Sequence, residues 1–176
     1  MRDAVTTATA SPGGTRALAG ALAVLVRPGD VVVLAGDLGA GKTTFTQGFA
    51  AALGVDEPVT SPTFALLRPY RCHPRPGGPA VRTLLHADVY RLDRLGEVAD
   101  LGLTQLVEDD AVALVEWGDV ATPVLGEDTL TVHLRAGPGD DDRAVTVTAA
   151  GDRWRDRAAA VAAAVHDGEP WDGAAR

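Results

Sequence analysis

The residues best suited to chemistry form one short stretch, GDLGAGKT, at positions 36–43. It fits G-x-x-x-x-G-K-[ST] at every fixed position, follows a strand-like apolar run and opens a helix-like segment. The glycines let backbone N–H groups turn inward around an anion at the start of a helix. Lys42, the only lysine in the chain, would reach the β- and γ-phosphates of a nucleotide, and Thr43 would ligate Mg²⁺. The stretch predicts a phosphate-binding loop; the alternative is a glycine-rich strand–helix turn with an exposed lysine.

Two acidic residues lie where they could supply further ligands to a metal ion bound at this loop. Asp88 ends the strand-like segment 81–88, and Glu116 ends the apolar, strand-like segment 111–116. In proteins with such a loop, an acid at the end of a neighbouring strand commonly holds the metal. We expect one carboxylate to ligate the ion, directly or through water, while the other orients the attacking water. The sequence leaves open which acid has which role, and a strand-end acid is also a common surface residue.

Hydroxyl side chains follow the helix that the loop opens, in the run Thr60-Ser61-Pro62-Thr63. Nucleotide switches often place a hydroxyl here to sense the γ-phosphate, but an ordinary Ser-Pro turn is an equal alternative. We expect Trp117 to serve packing rather than chemistry. The four histidines have no metal-ligand spacing, so none is predicted to bind a metal.

The lack of asparagine in the sequence bears on which nucleotide the loop would bind. The chain contains no asparagine, so the Asn-Lys-x-Asp motif that reads guanine does not exist here. This favours ATP over GTP as the nucleotide.

The elements that must position these residues alternate between strand and helix. Strands are predicted over 31–35, 64–70, 81–88 and 111–116, followed by a hairpin of 129–136 and 143–150. Helices are predicted from a Ser11 cap to before Pro28, over 42–53, near 96–102 and over 152–166. This order predicts an α/β fold, a P-loop NTPase-like three-layer domain with a mixed central sheet and a C-terminal hairpin and helix. We expect a disordered segment at 1–10, an ATPase domain over 11–150, and a C-terminal helix and tail over 151–176 that packs on the same domain or trails it.

Composition excludes several classes of protein. The net charge of −8 argues against a protein that grips nucleic acid through its own phosphate contacts. The arginines between Arg68 and Arg82 are expected to be a solvated surface. One cysteine, Cys72, excludes an internal disulfide. No run approaches the about 18 apolar residues of a membrane-spanning helix, and no secretory signal is evident, so we expect a cytoplasmic protein.

Four segments together resemble one known family. GDLGAGKTTFTQGFAAALG, SPTF at 61–64, HADVYRL at 86–92 and VEWGD at 115–119 occur in the order and at the spacing found in the TsaE (YjeE) family of bacterial P-loop ATPases. The resemblance covers about residues 11–150 and is far more specific than the loop motif alone. Gly118 stands where the family often has proline, a difference confined to the segment after Glu116-Trp117.

The resemblance implies an activity, a pathway and partners. Members of the family bind and hydrolyse ATP with Mg²⁺ in the threonylcarbamoyladenosine modification of tRNA. They work with the TsaD–TsaB complex, which brings tRNA to them indirectly, and hydrolysis is expected to reset that assembly between rounds. Carried over, Thr43 and Glu116 would hold the metal, Asp88 would be essential to hydrolysis, and Ser61 and Thr63 would form the switch. The nucleotide would contact Thr15, Gly36, Asp37, Leu38, Gly39, Ala40, Gly41, Lys42, Thr43, Thr44 and Ser61.

Two other functions remain open from the residues. A small-molecule or nucleotide kinase uses the same loop, although no long helical lid is evident between the two acids. A nucleotide-sensing module would bind ATP without hydrolysing it. An ATPase of this kind should be slow alone, because no arginine is evidently placed to assist the transferred phosphate, and we expect its partners to stimulate it.

Overall fold

The computed structural model of the chain describes residues 3–62, 66–90, 95–100, 102–107, 110–117 and 122–167. Its strands are β1 (Asp3–Thr9), β2 (Val31–Ala35), β3 (Leu67–Arg71), β4 (Thr83–Asp88), β5 (Ala111–Glu116), β6 (Thr129–Ala136) and β7 (Arg143–Ala149). Its helices are α1 (Pro12–Ala23), α2 (Lys42–Ala52), α3 (Leu95–Asp100), α4 (Leu103–Leu106), α5 (Thr122–Leu125), α6 (Asp152–Arg155) and α7 (Ala158–His166). The predicted strands and the hairpin are confirmed within the described residues, with shifts of a few residues at their ends; residues 64–65 of the strand predicted over 64–70 lie outside them.

The described strands form one mixed sheet in the order β1-β7-β6-β2-β5-β4-β3. The four central strands β6, β2, β5 and β4 are parallel, and antiparallel pairs complete both edges. Parallel neighbours bring their carboxyl ends to the same edge of a sheet, where α/β proteins bind ligands. The mixed α/β sheet is therefore as predicted, and its carboxyl edge carries the end of β2, β4 and β5.

Strands β2 and β5 are buried on both faces, which explains their continuous apolar sequences. Every residue of β2 and of β5 is buried. Because side chains alternate between faces, Val32 and Leu34 pack under α1 and α2, whereas Val31 and Val33 join the core formed with α4 and α5. Helices on both faces make the three-layer arrangement that the alternation of elements predicts.

The N-terminal segment differs from its prediction. Residues 3–9 are not disordered but form β1, which pairs antiparallel with all seven residues of β7. β-Branched Val and Thr residues suit an extended edge strand, and backbone pairing supplies the stability that this short, mostly polar segment lacks by itself. The prediction of disorder over 1–10 was therefore wrong for residues 3–9.

Helix α1 begins as its sequence indicates. The Ser11 hydroxyl accepts a 3.0 Å hydrogen bond from the Gly14 N–H, and Pro12 occupies the first turn. α1 then packs closely on α2, where a Cβ added to Gly48 would overlap the backbone of Arg16. This contact fixes the helix that follows the predicted phosphate-binding loop.

The C-terminal helix is interrupted, contrary to the single helix predicted over 152–166. α6 ends at Arg155 and α7 begins at Ala158. Between them the guanidinium of Arg157 turns inward and donates to both carboxylate oxygens of buried Asp30. That buried ion pair anchors the segment on the domain, and α7 packs against α1 and β1. In the part of the chain that the structure describes, no helix combines the length and apolarity that crossing a membrane requires.

Candidate nucleotide-binding site

The loop between β2 and α2 has the backbone that its glycines predict. Gly36, Gly39 and Gly41 have φ values of 138°, 79° and 102°, which residues with a side chain rarely adopt. At Gly36 a Cβ would also overlap the carbonyl oxygen of Leu134 on β6. Gly41 occupies the N-cap position of α2, and no side chain among the described residues caps that helix. The first-turn N–H groups thus remain available to an anion.

The lysine of the motif lies over this loop. The ammonium of Lys42 donates hydrogen bonds of 2.7 Å to the Gly36 carbonyl and 2.8 Å to the Asp37 carbonyl. It also lies 3.8 Å from the centre of the Trp117 ring. Lys42 is only 6% exposed, so the surface lysine of the alternative interpretation is excluded.

The two predicted acids are direct neighbours on the carboxyl edge. Asp88 of β4 and Glu116 of β5 are partners in the parallel register, and Glu116 is also in register with Leu34 of β2. The predicted phosphate-binding loop begins at Gly36, two residues after Leu34. The fold therefore brings both carboxylates beside the loop, as the positions of the strand ends predict.

Glu116 sits in a shell of polar hydrogen-bond donors. It is 3% exposed, and its Oε1 accepts from the His86 Nε2 at 2.9 Å and from the Ser61 hydroxyl at 3.2 Å. The Ser61 oxygen lies 3.2 Å from the Thr43 hydroxyl. The Thr46 hydroxyl donates to the Lys42 carbonyl at 2.9 Å and lies 3.5 Å from Oε1. Thr43, Ser61 and Glu116 thus form a continuous row of oxygen atoms from the loop to β5.

Asp88 lies in a less enclosed position. Its Oδ1 accepts a 3.0 Å hydrogen bond from the N–H of Tyr90. Burial raises the pKa of Asp88 above its ordinary value; the hydrogen bond from the Tyr90 N–H opposes this rise less strongly, and the negative charge of Glu116 adds to it. The carboxylate of Asp88 therefore accepts a proton more readily than an ordinary aspartate does.

These groups line one cavity of about 430 Å³. Its walls combine the loop, both acids, the hydroxyl groups, two aromatic rings and an arginine. The described residues that line it are Leu38, Gly39, Gly41, Lys42, Thr43, Thr44, Ser61, Pro62, Leu66, Asp88, Tyr90, Glu116, Trp117 and Arg143.

Two of the predicted site residues, Thr15 and Ala40, have other surroundings. Thr15 is buried near the start of α1, with its hydroxyl 2.7 Å from that of Thr9 and donating to the Ser11 carbonyl. Ala40 is buried in the core beside α2. Thr63 lies outside the described residues. Contact of these three with a nucleotide stays a prediction.

Sequence reasoning missed three contributors to the site. Trp117, predicted only to pack, has a positive φ of 60° and lies against Tyr90, with ring centres 4.7 Å apart and ring planes tilted by 44°, beside Lys42. His86 was not predicted to contact an acid, although its spacing of two from Asp88 on a strand places both on one face. Arg143 comes from β7 and reaches the loop; nothing local in the sequence signals this.

Comparison with known proteins identifies a single family. Residues 9–145 match the family model described as TsaE, threonylcarbamoyl adenosine biosynthesis protein TsaE. The tRNA threonylcarbamoyladenosine biosynthesis protein TsaE of Bacillus subtilis (strain 168) is 42% identical over 146 residues, covering 83% of this chain and 86% of that protein. The protein of the same name from Streptomyces coelicolor is 46% identical over 144 residues, covering 79% and 93%. The crystal structure of Bacillus subtilis YdiB superposes with a TM-score of 0.74 at 36% identity, covering 95% of this chain and 98% of that one.

Proposed function

The chain belongs to the TsaE family, and from this premise we propose that it is a Mg²⁺-dependent ATPase of tRNA threonylcarbamoyladenosine biosynthesis. The family model and the relatives carry that pathway in their names. The observation that supports nucleotide chemistry is the uncapped start of α2, whose glycine loop adjoins the row Thr43–Ser61–Glu116. The cavity over this row then receives a triphosphate.

The residues present fit a magnesium ion. Mg²⁺ prefers hard oxygen donors and usually takes one or two from the protein, with water and substrate phosphates supplying the rest. Among the described residues no group of three or more His, Cys, Asp or Glu side chains forms a closed cage. The hydroxyl of Thr43 and the carboxylate of Glu116 would hold the ion. When bound, it would neutralise charge on the phosphate oxygens during transfer.

The remaining residues have separate tasks in this proposal. The loop N–H groups bind the phosphates, and Lys42 exchanges its hydrogen bonds to Gly36 and Asp37 for phosphate oxygens. Ser61 reports on the terminal phosphate because it already contacts both Thr43 and Glu116. Asp88 orients the attacking water and accepts its proton, a role that suits a carboxylate with a raised pKa.

The proposed partners are the TsaD–TsaB complex and, through it, tRNA. The net charge of −8 favours indirect rather than direct contact with tRNA. A pull-down with TsaD and TsaB in the presence of Mg·ATP tests this part alone. If the complex failed to retain the chain, the proposed partners would be wrong. The proposed ATPase activity would be unaffected, because phosphate release tests it separately.

Phosphate release and ATP binding by the purified chain test the catalytic part. We expect slow, Mg²⁺-dependent release that TsaD, TsaB and tRNA accelerate. Lys42→Ala should weaken ATP binding by about 10- to 100-fold, the usual value of charge-assisted hydrogen bonds. Asp88→Ala should retain binding but lose hydrolysis, and Glu116→Ala should require a higher Mg²⁺ concentration for hydrolysis. Arg135→Ala, which removes an exposed charge on β6, serves as the control. Unchanged ATP affinity in Lys42→Ala would remove the assignment.

A further inference from the structure

Arg143 lies on the opposite side of the phosphate-binding loop from the acids. It is the first residue of β7, and its Nη2 donates to the Gly39 carbonyl at 3.4 Å. A Cβ added to Gly41 would lie 3.3 Å from its Nε. The acids are on β4 and β5, beyond β2 in the sheet order, whereas β7 lies on the other side of β2. The cavity thus has an acidic end and an arginine end.

The proposed positions of phosphate and metal determine what reaches the arginine end. Lys42, Thr43 and Glu116 place the terminal phosphates toward the acids. β4 and β7 are separated by four strand spacings, about 19 Å along the sheet edge. A nucleotide whose terminal phosphates lie near the acids therefore extends its nucleoside away from them, toward Arg143.

Three backbone carbonyls hold the guanidinium of Arg143 through hydrogen bonds from its terminal nitrogens. Nη1 donates to the Asp140 carbonyl at 2.8 Å and to the Asp142 carbonyl at 2.7 Å, in addition to the bond from Nη2 to Gly39. These three acceptors occupy donors in the plane of the group and fix that plane in space. A guanidinium fixed in this way presents its flat face to a ligand, and that face stacks on aromatic rings.

We propose that Arg143 is a base-binding residue whose guanidinium stacks on the nucleobase of the bound nucleotide. This inference rests on the proposed function, because it requires the phosphates at the loop. The carbonyls already use three of the five N–H donors, which leaves fewer for a phosphate, whereas the fixed plane suits stacking on a flat base. Arg143 thereby distinguishes a nucleotide from a bare polyphosphate.

Calorimetric titration with Mg·ATP, Mg·ADP and Mg·tripolyphosphate tests the inference. Arg143→Ala should bind ATP and ADP about tenfold more weakly, a loss within the range for a stacked cation. Its affinity for tripolyphosphate should equal that of the wild type, which also shows that the loop is intact. Arg143→Lys keeps the charge but not the plane, so it should resemble Arg143→Ala. Arg135→Ala, on the same hairpin, should bind all three ligands normally.

Several results would overturn the inference. Equal losses for ATP and tripolyphosphate in both variants would make Arg143 a phosphate contact or a support of the loop. Full ATP affinity in Arg143→Ala, or full rescue by Arg143→Lys, would exclude stacking. A wild-type chain that binds neither ATP nor tripolyphosphate is a different result, since it refutes the proposed function itself.

Discussion

The imidazole Nε2 of His86 donates a 2.9 Å hydrogen bond to the Oε1 of Glu116, and both side chains are buried. Because a carboxylate only accepts, this contact places the imidazole proton on Nε2. The other ring nitrogen, Nδ1, has no hydrogen-bond partner within the described residues. Among the described residues the ring therefore hydrogen-bonds only to Glu116. This bond orients the Glu116 carboxylate toward Ser61 and Thr43.

Replacing His86 should impair hydrolysis more than nucleotide binding. In His86→Leu, Glu116 loses a donor, and loss of such an orienting partner commonly costs about 10- to 100-fold in activity or metal affinity. His86→Gln offers an N–H donor at similar reach and should recover part of the rate. Steady-state phosphate release at several Mg²⁺ concentrations, with ADP affinity measured in parallel, separates the two effects. Wild-type rates in both variants would show that Glu116 holds its position unaided.

Because of the close contact between α1 and α2, we expect alanine substitutions at two glycines to change the stability of the chain in opposite directions. A Cβ on Gly48 would overlap the backbone of Arg16, so Gly48→Ala must separate the helices and should destabilise the chain by about 1–3 kcal/mol. A Cβ on Gly20 would lie 3.7 Å from that of Ala52, an ordinary contact. Gly20→Ala should therefore stabilise the chain by up to about 1 kcal/mol through helix propensity. Urea denaturation measures both, and a similar change in the two variants would contradict the packing described.

Cys72 should be unreactive in the folded chain. It is 3% exposed, and burial raises the pKa of its thiol to about 11. The reactive thiolate is therefore scarce at pH 8, and reagents have little access to it. Because Cys72 is the only cysteine, labelling with a thiol reagent reads this site alone. We expect labelling within minutes in denaturant and only very slow labelling without it; fast labelling of the native chain would contradict its burial.

The parts of the site that can be predicted from the sequence are those that a short stretch of neighbouring residues determines. The glycine loop needs only its own positive φ values, and β2 is a continuous buried run bounded by Pro28-Gly29 and Gly36. Asp88 and Glu116 could be placed together because parallel strands end at a common edge. Each of these features follows from a short segment and one general rule of the fold.

The parts that sequence does not predict depend on distant partners. Arg143 reaches Gly39 across 104 positions, and only the register of the hairpin brings it there. β1 pairs with β7 from the other end of the chain, so its order depends on an edge that local propensity does not show. The break between α6 and α7 follows from Arg157, which bonds Asp30 over 127 positions. Alanine-rich sequence alone predicts an unbroken helix there.

The raised pKa of Asp88 predicts that this residue costs the apo protein stability at neutral pH. Burial and Glu116 disfavour ionised Asp88 in the fold, whereas the unfolded chain ionises it freely. The penalty is fully present above the raised pKa, declines as the pH falls from there toward the ordinary pKa of aspartate, and is absent below it. Asp88→Asn keeps an oxygen for the Tyr90 N–H and should therefore resist urea better than wild type at pH 7 without Mg²⁺. That advantage should shrink toward acid pH. Asp100→Asn, at an exposed position of α3, should show no comparable gain. A less stable Asp88→Asn at pH 7 would mean that the ionised carboxylate is favoured in the fold.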